Sequence, residues 1–119
     1  MATVKITISV ITGTPDCVAT TDGQKVHDQI ASNLRAGNIV HVSFLGVKSI
    51  ITAFLNAAIG QLYGEFKEDE ISGKIFLIDA KADDIEKVRR VVAGAKLYFK
   101  DKKKFEEAKR EAMGTEGND

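Results

Sequence analysis

Val4, Ile6, Ile8 and Val10 alternate with Lys5, Thr7 and Ser9. A period of two built from β-branched residues predicts a half-buried strand, because successive side chains leave opposite faces of the pleat. Gly13-Thr14-Pro15-Asp16 predicts a turn, and Cys17 to Thr20 a short second strand, so the chain is expected to open on an antiparallel β-hairpin. The period then changes. Val26, Ile30 and Leu34 recur every four residues with Ala31 beside them, the stripe of an amphipathic helix. Thr21 and Gln24 have capping-box spacing at its start, and Gly37 can end it in the left-handed region.

Ile39 to Leu45 reads as a buried strand, and a second helix is expected from about Ala53 to Phe66, with Leu55, Ile59, Leu62 and Phe66 inward. A second stripe on that helix, Ala53, Ala57, Gly60 and Gly64, is made only of small residues. Glycine costs roughly 1 kcal/mol in a helix relative to alanine, so this stripe implies a close approach by another element. Glu65 to Gly73 reads as a charged loop and Ile75 to Ile78 as a further buried strand. Asp83 and Glu86 mark the start of a third helix burying Ile85, Val88, Val92, Ala95 and Phe99. Lys100 to Ala112 is a charged helical segment with only Phe105, Ala108 and Ala112 to bury, and residues 114–119 read as a frayed tail. Strands alternating with helices predict an α/β domain whose later strands run parallel.

Composition narrows the class. At 119 residues the chain is the size of one domain, read as residues 1–113 plus the tail. Its 17 basic and 17 acidic side chains balance, which argues against a nucleic-acid binder, since those usually need a net basic face. The charges crowd into the second half: residues 1–64 hold only 4 basic and 3 acidic residues. A single cysteine, Cys17, excludes an internal disulfide and suits a reducing cytoplasm. The alternating start is unlike a signal peptide, and no stretch approaches the ~18 apolar residues of a membrane span. A cytoplasmic location, with no membrane contact, is the expectation.

Recognisable chemistry is sparse. His27 and His41 fall on different elements and, with Cys17, lack the spacing of a zinc site. They read as packing or surface residues, and Cys17 as a small strand residue rather than a nucleophile. Neither glycine-rich phosphate-binding fingerprint is present. Glu65, Glu68, Asp69 and Glu70 read as a solvated acidic loop, and Lys102-Lys103-Lys104 as a basic run that Glu106 and Glu107 can pair. The expectation is no enzyme activity, no cofactor and no metal.

One stretch carries a family pattern. Phe44-Leu45-Gly46-Val47-Lys48-Ser49-Ile50-Ile51-Thr52-Ala53-Phe54-Leu55, with Gly60 and Leu62 following, resembles the central motif of STAS-like domains, the sulphate transporter and anti-sigma-factor antagonist type. The resemblance is strongest to the bacterial STAS-like branch of unknown function, and Thr21-Asp22-Gly23-Gln24-Lys25-Val26 and Val91-Val92-Ala93 also fit it. It spans roughly residues 4 to 99. It implies a mixed four-stranded sheet with the N-terminal hairpin and helices mainly on one face, followed here by the charged C-terminal helix. It also implies a regulatory, partner-switching role, with a histidine-kinase-like ATPase as the partner class. In antagonist members, a serine at this helix start is phosphorylated. Ala53 stands at that position, Thr52 keeps a hydroxyl one residue earlier, and Ile51 stands where an acidic residue is frequent.

The reading is therefore a non-enzymatic protein-interaction domain that binds through Ser49, Thr52, Ala53, Asn56 and Gly60. Thr52 reads first as the N-cap of this helix and otherwise as the hydroxyl left for phosphorylation, and the usual serine switch is absent. In the competing readings, the small-residue stripe makes the chain a weak homodimer, or the chain is a small nucleotide-binding protein.

Overall fold

A computed structural model describes residues 1–117 of the chain. β1 (Thr3–Thr7) runs directly into a short helix α1 (Ile8–Thr12), followed by β2 (Asp16–Cys17), α2 (Thr20–Arg35) and β3 (Ile39–Ser43). β4 (Ser49–Ile50) precedes α3 (Thr52–Ala58), a 3-10 helix (Gly60–Gly64), α4 (Glu68–Ser72), β5 (Ile75–Ile78) and the long helix α5 (Ala82–Gly117). The α/β class holds, but the expected four-stranded mixed sheet is replaced by two parallel sheets, β1-β3-β5 and β2-β4.

The opening hairpin does not form. Alternation in the first ten residues marks β1 but not its end: Ile8 is buried within α1, while Val10 is 77% exposed. Gly13, with φ at 72°, caps α1 and turns the chain so that β2 reaches β4 instead of β1. β1 pairs with β3 in parallel register, Val4 with Val40 and Ile6 with Val42.

The three-stranded sheet has two unlike faces. Ile6, Val40 and Val42 are buried and cluster with Val26, Ile30, Phe54 and Leu55 of the helices. Lys5, His41 and Phe76 form one row across the opposite face, where Lys5 and Phe76 are exposed and the His41 and Phe76 rings meet edge to face. Burial of the helix-side cluster, at roughly 25 cal/mol per Å² of apolar surface, is the main stabilising term.

α2 begins one residue before the expected capping box, with Ala19 at its N-cap and no side-chain cap. Gln24 is drawn elsewhere, to Asp28, His27 and Gln61. Gly23 is buried where α2 crosses α3: a Cβ there would stand 2.7 Å from the Phe54 carbonyl oxygen and 2.9 Å from Ala57 Cβ. The expected single helix from 53 to 66 breaks at Ile59, with φ −120°, and continues as the 3-10 helix, keeping Leu55, Ile59 and Leu62 buried. The charged loop contains α4, anchored by buried Ile71. The third and fourth predicted helices are one, α5. Val88, Val91 and Ala95 are buried along it, while Ile85, expected inward, is 38% exposed. α5 reaches into the segment read as a tail, whose last two residues, 118–119, lie outside the described residues.

Candidate functional site

Ser49, Thr52, Ala53 and Asn56 are all exposed. Ser49 lies in β4 opposite Asp16 and donates its hydroxyl to Asp16 Oδ1 at 2.8 Å. β4 is short, yet three interactions fix it. Ile50 pairs with Cys17, the Ile51 N–H reaches the Cys17 carbonyl, and Lys87 Nζ of α5 donates to the Ile50 carbonyl at 2.9 Å.

α3 then starts at Thr52. Its N-cap is Ile51, an extended residue with no capping side chain, so Thr52 is not the cap. Its hydroxyl makes no hydrogen bond within the described chain. Thr52, Ala53 and Asn56 share one turn of the helix. On the opposite side of that turn, Phe54 and Leu55 are fully buried and fix the helix rotation.

Gly60 does not join this surface. It is buried, and a Cβ there would lie 3.5 Å from Val91 and 3.7 Å from Ala95 of α5, with Asn56 Oδ1 at 3.1 Å. Gly64 is covered by the Phe99 ring, against which a Cβ would press. Three positions of the small-residue stripe are thus covered by the chain's own helices, α2 at Ala57 and α5 at Gly60 and Gly64, while Ala53 is exposed. The close approach expected from the glycines is present, and helices α2 and α5 supply it.

Two aliphatic residues border the exposed turn. Ile51 is 41% exposed and Val18 is 53% exposed. The pairing of Cys17 with Ile50 brings these two residues, each just past the end of β2 or β4, side by side. Leu45 (60% exposed), in the loop after β3, and Val10, on α1, are brought close by the Ser9 hydroxyl of α1 donating to the Leu45 carbonyl. Sequence reasoning missed Val18 because it reads as a strand residue; an odd-register aliphatic at the end of a short strand was the available signal.

The titratable groups serve structure. Cys17 is buried in β2, and its thiol is pushed up to about 11, chiefly by burial and further by Asp22, Asp16 and Asp84. It is therefore a poor source of thiolate. His27 is buried on α2: its Nε2 lies 2.6 Å from Glu65 Oε1 and its Nδ1 3.0 Å from Asp28 Oδ1. Arg35 completes the clamp on Glu65 at 3.3 Å. Hydrogen bonds from His27, then from Gln24, hold the Asp28 carboxyl below its ordinary range. The acidic loop is dispersed in the same way, since Glu68 pairs with Lys96 and Glu70 caps the Lys67 N–H. Among the described residues, no three His, Cys, Asp or Glu side chains converge as a metal site. A groove of about 1120 Å³ between α4 and α5 includes none of the residues from Ser49 to Asn56. No helix among the described residues is long and apolar enough to cross a membrane.

Comparison with curated proteins and with solved structures returns no match. A family model described as "STAS-like domain of unknown function (DUF4325)" matches residues 22–84, just over half of the chain. The matched span holds α2 from Asp22 onward, the strand–helix motif at Phe44 to Leu62 and β5, and stops as α5 begins. The chain belongs to the STAS-like domain family of unknown function.

Proposed function

We propose that this chain is a non-enzymatic regulatory domain that binds a protein partner through the start of α3. The observation that carries this reading is the exposed turn Thr52, Ala53 and Asn56, bordered by Ser49 and by exposed Ile51 and Val18. The turn stands on a rigid base, because Phe54 and Leu55 are fully buried beneath it. A small apolar patch with a polar rim, on an element that does not need to move, is a good protein-docking surface. Family membership supports the same region, since the matched span is centred on it. The partner class suggested by the wider STAS-like group is a histidine-kinase-like ATPase.

Phosphorylation at Thr52 is a second reading, supported by its exposed hydroxyl, free of any capping bond. A phosphate there would add about two negative charges beside Ile51 and Val18 and would disrupt an apolar contact. Incubation with the candidate ATPase-kinase followed by intact-mass measurement decides it: gain of one phosphate, lost in Thr52→Val, supports the switch, and no gain rejects it.

The docking surface itself is tested by Ala53→Arg and Asn56→Arg in a pull-down with the ATPase. Loss of capture with an unchanged melting temperature is expected. Undiminished capture overturns the placement.

A further inference from the structure

The two halves of α5 differ in their surroundings. From Ala82 to Phe99 the helix is packed through Val88, Val91 and Ala95, and Phe99 lies on Gly64. From Lys100 to Glu111 every residue is exposed. At about 1.5 Å per residue this stretch carries the helix about 18 Å further, consistent with a molecule 59 Å long but only 31 by 23 Å across. A helix of about three turns with no packed face is marginal in water.

The free half is not uniformly polar. Leu97, Tyr98 and Phe105 are 61%, 60% and 68% exposed. At about 100° per residue, Leu97, Tyr98, Asp101, Phe105 and Ala108 fall on one face about 100° wide. This stripe is distinct from the one that buries Val88 and Ala95.

On the face of the stripe the charges invert about Phe105. Asp101 and Lys109 lie four residues either side of it and about 40° from its direction, and Lys104 and Glu106 flank it at about 100°. Each pair is opposite in sign and equidistant from Phe105, while Lys100, Lys103, Glu107 and Arg110 point to the far side of the helix. Among the described residues, no ion pair joins Asp101, Lys104, Glu106 or Lys109 to one another. A face whose charges are antisymmetric about one residue is complementary to a second copy running antiparallel about that residue, and the contact closes on itself.

We infer that the distal half of α5 is a self-association surface, on which two copies of the chain pair antiparallel with their Phe105 rings at the two-fold axis. Lys104 and Lys109 of each copy then face Glu106 and Asp101 of the other. This surface is separate from the start of α3 and does not depend on the function proposed there.

The test is sedimentation equilibrium of the full chain over roughly two decades of concentration. A monomer–dimer equilibrium is expected, and Phe105→Glu should weaken it at least about tenfold. A chain carrying Lys104→Glu and Lys109→Glu, and another carrying Asp101→Lys and Glu106→Lys, should each be monomeric alone and form a heterodimer when mixed. All these positions are exposed, so matching far-UV dichroism and melting temperature verify the fold. A monomer at every concentration, a dimer indifferent to Phe105→Glu, or no heterodimer on mixing overturns the inference. So does a monomeric chain whose Phe105 instead governs binding to anionic vesicles or to the ATPase.

Discussion

The two ends of the segment from Thr52 to Gly64 carry the same kind of small side chain and have opposite fates. At the far end, Gly60 and Gly64 are sealed by Val91, Ala95 and Phe99 of α5. At the near end, Thr52, Ala53 and Asn56 face solvent. A small residue under a helix is there because nothing larger fits; a small residue on a surface leaves room for a partner. The chain's own packing of the closed end fixes the direction in which the open end points. The contrast predicts that substitutions at the closed end change stability and those at the open end change binding.

The largest effects belong beneath the open turn and at the helix crossings. Phe54→Ala should cost about 3–5 kcal/mol in chemical unfolding, because a fully buried ring leaves a cavity. Gly23→Ala should cost about 1–3 kcal/mol, since its new methyl would press on the Phe54 carbonyl, a backbone atom that cannot turn aside. A variant as stable as the parent would mean that α2 and α3 do not cross as closely as described.

His27→Ala comes next, at about 1–3 kcal/mol, because it removes a buried ring bonded at both nitrogens and leaves Glu65 with Arg35 alone. Cys17 offers a check without mutation. Its buried, protonated thiol should resist alkylation in the folded chain and react once the chain is unfolded in denaturant. Rapid labelling of the native protein would contradict the burial of β2.

The smallest effect concerns pH. The Asp28 carboxyl is held low in the folded chain, so its contribution is present above the ordinary value of 3.8 and is lost as pH falls through its depressed folded value. Asp28→Asn should therefore lose less stability than the parent on acidification, measured as melting temperature against pH. The carboxyl is exposed, so the difference will be slight.

How far these features were legible in the sequence depended on whether their cause was local. The helical stripe at Val26, Ile30 and Ala31 follows from periodicity, and the strands around Val40 and Val42 and at Ile75 to Ile78 follow from short apolar runs; the structure forms all three elements, though Ile75 to Ile78, read as buried, is only half-buried with Phe76 exposed. The motif at Phe44 to Leu62 was legible as a family pattern. What failed was long-range. Alternation through Val10 continues past the end of β1, because periodicity does not register that Gly13 redirects the chain to β4. The small-residue stripe announced a close approach, but the identity of the approaching element depends on α5, about thirty residues away. Thr52 has the right chemistry for an N-cap; Ile51 takes that position because its N–H is tied to Cys17 of β2. Exposure of Val18 beside Ile51 depends on the same pairing and could not be read from either residue alone.

The central claim is that the open end of this segment is the binding end. It is tested most directly by titrating the proposed partner, a histidine-kinase-like ATPase, with the Ala53→Arg chain while recording the melting temperature of each protein form. The account predicts a Kd raised at least about tenfold, or about 1.4 kcal/mol, with the melting temperature unmoved. An unchanged Kd, with the variant folded, would contradict it.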